Sequence, residues 1–324
     1  MLLTVENLHV HFRTSDGVLR AVDGVSFQIG ESQTLAIVGE SGSGKSVTAS
    51  SLLRLIQEPP GRIAGMIRWR GADLLALSER EMRKIRGSEI GMIFQEPMAS
   101  LNPVLSIGHQ ITETLRLHER LDRAAARRRA VELLGSVGLP EPQRRISDYP
   151  HRLSGGMQQR VMVALALAGN PKLLIADEPT ASLDVTIQAQ LLELLKDFRR
   201  RTGASLLLIT HDMGVVAEAA ARVMVMYAGR KVEEASTRDL FRTPRHPYTR
   251  ALLGAVPRLG AGNRRLMEIA GTAPSLLQRS AGCAFASRCS SVTEICRRVT
   301  PPLETKAAGH IAACHHAASE MVAA

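Results

Sequence analysis

The chain has 324 residues, 45% of them hydrophobic and 22% charged, with a formal net charge of +10. That length allows one large domain with an appendage, or two domains, and the composition is that of an ordinary globular protein. No apolar run reaches the roughly 20 residues needed to span a bilayer, and 3% aromatic residues with a single Trp, Trp69, argue against base-stacking platforms for nucleic acid.

The opening MLLTVENLHVHF is broken by Glu6, Asn7 and His9. It lacks a cationic start and a small-residue cleavage site, so it does not read as a signal peptide. A cytoplasmic location is expected, with the basic balance suited to an anionic membrane leaflet reached through a partner.

Leu35 to Val38 predicts a buried strand. It feeds Gly39-Glu40-Ser41-Gly42-Ser43-Gly44-Lys45-Ser46, a match to G-x-x-x-x-G-K-[ST]. Val47 onwards predicts a helix. Three glycines permit a tight loop whose N–H groups converge on phosphate oxygens, and the helix start adds partial positive charge. Lys45 suits the β- and γ-phosphates, and Ser46 suits Mg2+. A chance glycine-rich turn would lack the strand before it and the helix after it.

Residues 97–150 predict helices joined by Gly and Pro turns. Arg116, Arg120, Arg123 and Arg127 recur at helical spacing, with Arg128 and Arg129 following. The plain reading is a solvated face; the sharper one is a face near membrane phosphates or an acidic partner loop. Leu153-Ser154-Gly155-Gly156-Met157 then opens another helix. Ser154 suits its N-cap, and the two glycines expose N–H groups as a second anion site. Lys172 to Ala176 predicts a second buried strand, running into Asp177 and Glu178. Asp177 suits Mg2+ held through water, and Glu178 suits a base that polarises the attacking water.

After Val232 the chain becomes loop-rich, with a short amphipathic helix expected from about Thr249 to Val256. Four cysteines lie near its end, as Cys283-x5-Cys289-x6-Cys296-x17-Cys314. A reducing compartment disfavours disulfides, and clustered thiolates favour zinc or an iron–sulfur cluster. The spacing fits neither a plain zinc ribbon nor a ferredoxin run. Unliganded thiols remain open, and His310, His315 and His316 are further ligands if the metal is zinc.

Taken in order, six segments resemble the ABC ATPases over roughly residues 1–235. They are the phosphate loop, Phe94-Gln95-Glu96-Pro97, LSGGM at 153–157, LLIADEPT at 173–180, Ser182-Leu183-Asp184, and Leu208-Ile209-Thr210-His211-Asp212. HPYTRALLGAVP from His246 to Pro257, continued by Gly271-Thr272-Ala273-Pro274-Ser275 and the cysteines, resembles the C-terminal element of oligopeptide and dipeptide importer ATPases, over 236–324. The resemblance implies an α/β fold: a P-loop ABC ATPase with a mainly parallel sheet, an antiparallel β-subdomain, a helical subdomain over about 97–155, and a small cysteine-containing tail.

It also implies roles. Gln95 resembles the glutamine that touches Mg2+ or water and senses a transmembrane partner. Ser154, Gly155 and Gly156 resemble the signature that contacts the γ-phosphate held by another subunit, with Met157 where Gln is commoner. Asp184 resembles the aspartate that crosses that interface, and His211 the histidine on the γ-phosphate. Phe12 is the candidate aromatic for stacking on adenine. The implied cofactors are ATP, Mg2+ and a [4Fe–4S] cluster on Cys283, Cys289, Cys296 and Cys314. The implied partners are two transmembrane permease subunits, a second ATPase subunit, identical or related, and an extracytoplasmic solute-binding protein. The expected function is ATP hydrolysis powering import of di- or oligopeptides from the cytoplasmic face of the membrane. Nickel, glutathione or another small solute is the alternative cargo. A non-transport ABC ATPase acting on nucleic acid is the alternative of another class.

Overall fold

A computed structural model describes residues 1–180, 184–255, 269–277 and 281–317. Ser182 and Leu183 of the expected interface loop, Val256 at the end of the expected tail helix, and Pro257 after it lie outside the described residues. The chain opens with β1 (Leu3–Thr14), β2 (Gly17–Ile29), β3 (Thr34–Val38), α1 (Lys45–Leu52), β4 (Gly61–Trp69) and β5 (Ala72–Asp73). Next come α2 (Glu79–Ile85), β6 (Ile90–Ile93), α3 (Pro97–Ser100), α4 (Ile107–His118), α5 (Arg123–Ser136) and α6 (Pro142–Arg145). Then follow α7 (Gly155–Leu167), β7 (Leu173–Asp177), α8 (Val185–Thr202), β8 (Ser205–Ile209) and α9 (Met213–Ala219). The described chain closes with β9 (Arg222–Tyr227), β10 (Arg230–Ser236), α10 (Thr237–Arg242), α11 (Pro247–Gly254), α12 (Glu294–Arg298), β11 (Glu304–Ala307) and β12 (His310–Ala312). None of the described helices is long and apolar enough to cross a membrane.

The chain forms two compact units. The first joins Met1–Ile29 and Thr34–Leu75 to everything from Thr210 onward. It holds the antiparallel sheet β2-β1-β4-β5, in which Leu3 faces Ile29 on one side and Trp69 on the other. It also holds the strand order β11-β12-β10-β9-β3. β3 and β9 run parallel, whereas β10 and the terminal hairpin pair antiparallel. All five residues of β3 are buried, as expected of a parallel strand covered on both faces. Tyr248 and Phe285 of the tail share one apolar core with Ala36, Val38, Val225 and Tyr227. The tail is therefore folded into the same unit as the phosphate loop, and the unit boundary does not fall at 235/236.

The second unit comprises Gly30–Gln33 and Ala76–Ile209. Its strands β8, β7 and β6 pair in parallel, and β6, β7 and β8 are buried throughout. Helices α3 to α6 occupy the expected helical segment. The arginine stripe expected there is not one face. α4 ends at His118, Arg120 adopts a left-handed φ of 56°, and Asp122 caps a new helix by accepting from the N–H of Ala125. Four-residue spacing across a helix break places side chains on different elements.

Candidate nucleotide site and cysteine cluster

The phosphate loop leaves the end of β3 and enters α1 directly at Lys45, two residues earlier than the sequence suggests. Glycine is required at two places. Gly39 has φ 155°, and a Cβ there would stand 2.2 Å from the Met226 carbonyl oxygen. Gly44 has φ 99°, and its Cβ would stand 2.3 Å from the Ala21 carbonyl oxygen. The loop is thus pressed against its own scaffold, which fixes its curvature. Ser43 and Lys45 are buried, with Lys45 only 4% exposed. The Lys45 ammonium donates to the carbonyls of Gly39 at 2.8 Å and Glu40 at 2.9 Å. These are weak substitutes for phosphate, so an incoming anion can claim the charge without a new cation having to be buried. Ser46 is the second residue of α1, while Ser41 and Gly42 form the exposed crest of the loop.

Glu40 is restrained by residues the sequence does not single out. Its N–H donates to Tyr248 Oη at 2.7 Å, and its carboxylate accepts from both terminal nitrogens of Arg288 at 2.7 and 2.9 Å. Phe12 sits half-buried on β1, opposite Leu19 and Gly61. Phe27, the other nearby aromatic, is 4% exposed and belongs to the core. His211 is exposed and follows Thr210, whose N–H donates to the Ile37 carbonyl of β3.

In the second unit β7 ends in Asp177, 4% exposed, and Glu178 turns out of the strand. Glu178 adopts φ 46°, a left-handed conformation that costs about 1 kcal/mol for a residue with a side chain. Its N–H is held by the Ile209 carbonyl at 2.8 Å. Gln95 Nε2 donates to Glu178 Oε2 at 3.2 Å, joining two residues 83 positions apart. Helix α7 is tied to the same turn, because buried Gln159 donates to the Pro179 carbonyl at 2.7 Å. Ser154 occupies the N-cap position of α7 in extended conformation, but its hydroxyl makes no capping bond, contrary to the expected cap. Ser154 and Gly155 are exposed, with Gly156 and Met157 half-buried beside them. Asp184 caps α8 by accepting from the Ile187 N–H at 2.9 Å.

The four cysteines are free of disulfides and mutually close enough for their charges to interact. Burial pushes the Cys283 thiol up to about 11, and the neighbouring Cys314, Cys296 and Cys289 add to the rise. Burial also raises Cys289 and Cys314. Among the described residues, His9, His11 and Asp23 are the one trio whose ligand atoms lie within 4.8 Å of one another, so no three thiols are that tightly drawn. A single zinc with Zn–S bonds of about 2.3 Å needs sulfurs closer than that. A multi-iron cluster, in which each thiolate takes a different iron, suits a wider set. The three histidines weighed as zinc ligands are otherwise engaged. His310 bonds the buried Glu233 at 2.7 Å, His315 the Val299 carbonyl at 2.9 Å, and His316 the Thr293 hydroxyl at 2.7 Å.

Residues 22–181 match the family model described as ABC transporter. Residues 232–296 match the one described as oligopeptide/dipeptide transporter, C-terminal region. A probable peptide ABC transporter ATP-binding protein of Sinorhizobium fredii is 51% identical, over 97% of this chain and 94% of its own. An oligopeptide transport ATP-binding protein of Bacillus subtilis is 53% identical, over 93% of this chain and 85% of its own. A dipeptide transport ATP-binding protein of the same organism is 48% identical, over 97% and 94%. A dimeric ATP-binding cassette solved with ADP and inorganic phosphate superposes with a TM-score of 0.66 at 29% identity, covering 73% of this chain and 99% of that one. An ABC transporter subunit from Clostridium perfringens gives 0.61 at 28% identity, covering 74% and 90%. The chain is an ATPase of the ABC transporter family, in the group of ATP-binding proteins that carry the oligopeptide/dipeptide transporter C-terminal region.

Proposed function

We propose that this chain hydrolyses ATP to power import of di- or oligopeptides, as one of two ATPase subunits bound to two membrane permeases. The observation that carries the peptide assignment is the match of the tail as well as the cassette to peptide-transport relatives. In this reading Lys45 leaves the Gly39 and Glu40 carbonyls for the β- and γ-phosphates, joined by the N–H groups of residues 41–46. Ser46 and Asp177 hold Mg2+, and His211 contacts the γ-phosphate. Glu178 polarises the attacking water, and the Gln95 amide orients its carboxylate. Phe12 stacks on adenine. Ser154, Gly155, Gly156 and Met157, with Asp184, face the nucleotide of a second subunit. Much of the charge complement of each site then belongs to the partner, so ATP joins the dimer and hydrolysis releases it.

Phe94, Met98 and Val104 are exposed in the segment that carries Gln95, apolar side chains suited to a permease helix at the cytoplasmic face. An extracytoplasmic binding protein completes the assembly without touching this chain. Cys283, Cys289, Cys296 and Cys314 would hold a [4Fe–4S] cluster, which when bound supplies a cross-link among the tail loops. That reading is supported by the mutual proximity of the four thiols, no three of which gather within 4.8 Å of one another.

The test is Glu178→Gln. Hydrolysis is expected to fall by at least about a hundredfold, the size of a lost general base. An ATP-bound dimer should accumulate and be seen by light scattering. Normal turnover would remove Glu178 from the role of base. Uptake of labelled dipeptide by liposomes carrying the whole complex, set against nickel uptake, separates the cargo readings.

A further inference from the structure

Glu40 is the second residue of the phosphate loop, and it is held at three points. Tyr248 accepts its N–H, Lys45 donates to its carbonyl, and Arg288 grips its carboxylate. Two of the three partners come from the tail, 208 and 248 residues away. The Arg288 side chain is 5% exposed. Its remaining donors go to the Ala270 carbonyl at 2.9 Å, the Ile269 carbonyl at 3.0 Å and Tyr227 Oη at 3.3 Å. Its guanidinium carbon lies 5.9 Å from the ring centres of both Tyr227 and Phe285. A guanidinium engaged on every side is fixed before any nucleotide arrives.

Stability alone is a poor reason for such a pair, because desolvating two charges offsets much of their attraction. Its position gives it another consequence. Glu40 places a full negative charge five residues before Lys45, in a loop that must accept a triphosphate. Left bare, that charge repels the ligand; Arg288 cancels it. The clamp also matters when phosphate draws Lys45 away, since the Gly39 and Glu40 carbonyls then lose their donor. Tyr248 is then the contact that keeps the Glu40 N–H in place.

We propose that the tail residues Arg288 and Tyr248 are positioning residues of the nucleotide site that act through Glu40: Arg288 cancels its charge, and Tyr248 holds its N–H so that the phosphate loop is pre-shaped. The proposal rests on residues 39–46 being the phosphate loop. It makes the tail part of the ATP-binding apparatus of its own subunit. A clamp formed in advance removes the cost of ordering the loop during binding.

The experiment is titration of the full-length chain with Mg–ATP and Mg–ADP, at low and high salt, for Arg288→Ala, Glu40→Gln, the double variant, Tyr248→Phe and Lys45→Ala. Arg288→Ala is expected to weaken ATP binding by about tenfold, the scale of one uncompensated charge near the ligand, and ADP binding less. The loss should shrink at high salt. Glu40→Gln should bind ATP at least as tightly as the parent, and the double variant should return to within about threefold of it, because no bare charge remains. Tyr248→Phe, which removes the hydroxyl that accepts the Glu40 N–H, should weaken ATP and ADP alike, and parental affinity there overturns the role of Tyr248.

Parental affinity in Arg288→Ala overturns the proposal. So does an Arg288→Ala loss that persists in the double variant, since a purely architectural arginine predicts that result. If Arg288→Ala does not fold, Glu40→Gln carries the test, and tenfold weaker ATP binding there overturns the charge-cancelling role of Arg288. Lys45→Ala separates the two levels. Unchanged binding in Lys45→Ala removes the phosphate-loop reading and the clamp with it. Lost binding there, with Arg288→Ala at parental affinity, removes the clamp alone.

Discussion

His246 caps α11 with its ring: Nδ1 accepts the N–H of Tyr248 at 3.0 Å, in a residue 1% exposed. Burial pushes its pKa down to about 4; the Glu233 charge opposes that shift and Arg250 reinforces it. An unfolded histidine protonates near 6.5, so on acidification the unfolded chain takes up the proton first. Stability contributed here is therefore present above about pH 6.5 and is lost as the pH falls towards 4. Glu233 adds loss at the acid end. Burial raises its pKa, but bonds from His310 and from the N–H groups of Arg245 and His246 outweigh it and hold the carboxyl below its usual range. Its contribution, too, goes as the pH drops through its folded value. The melting temperature should fall from pH 7 to 4.5. His246→Asn keeps an acceptor for the Tyr248 N–H and cannot titrate, so it should flatten that slope by roughly 2 kcal/mol. Equal slopes in parent and variant would take His246 out of the account.

At this scale, legibility followed sequence distance. Residues 39–46 are contiguous and their order carries the chemistry, so they were readable. Arg288 and Glu40 lie 248 residues apart, and no local period joins them. A glutamate inside a phosphate-binding loop was the one available hint, since such a charge calls for a counter-ion.

Among the elements, α7 carries the clearest sign of an external partner. A Cβ at Gly155 or Gly156 would meet nothing within 4 Å in this chain. Glycine in a helix costs up to about 1 kcal/mol against alanine, so packing within the chain gives no reason to keep two of them. Close approach of something outside does. Gly155→Val should leave the melting temperature and the subunit's own ATP affinity near parental values. In a Glu178→Gln background it should abolish the ATP-dependent dimer seen by light scattering. A dimer that survives would mean that the start of α7 does not face a second nucleotide. The buried strands were legible because runs such as Leu173 to Ala176 have no polar residue to place outward. The arginine stripe misled because spacing alone does not reveal a break, although Asp122 before Arg123 was a cap in plain view.

Over the whole molecule, the tail is the part whose placement the sequence conceals. Cysteine count and spacing suggested a ligand set without showing that the segment packs on the phosphate-loop core through Tyr248 and Phe285. A pair of fully buried aromatics contributes several kcal/mol, at roughly 1.5–3 kcal/mol each. The tail should therefore stay docked even without a metal, and metal loss should loosen the cysteine loops first. The decisive measurement is iron, sulfide and zinc per chain after anaerobic purification, together with the visible spectrum. About four irons and four sulfides are expected, lost together in Cys289→Ser, as a cluster with one thiolate per iron requires. Raised thiol pKa values mean that loading releases protons, so reconstitution of the apo chain should be faster at pH 8.5 than at pH 6.5. Stoichiometric zinc without sulfide would refute the cluster and require the thiols to draw together from their present spacing. Neither metal would leave a thiol tail held by its aromatic core, with Arg288 still beside Glu40. Nucleotide affinity that follows iron content would instead join the cluster to the phosphate loop through the single peptide bond between Arg288 and Cys289.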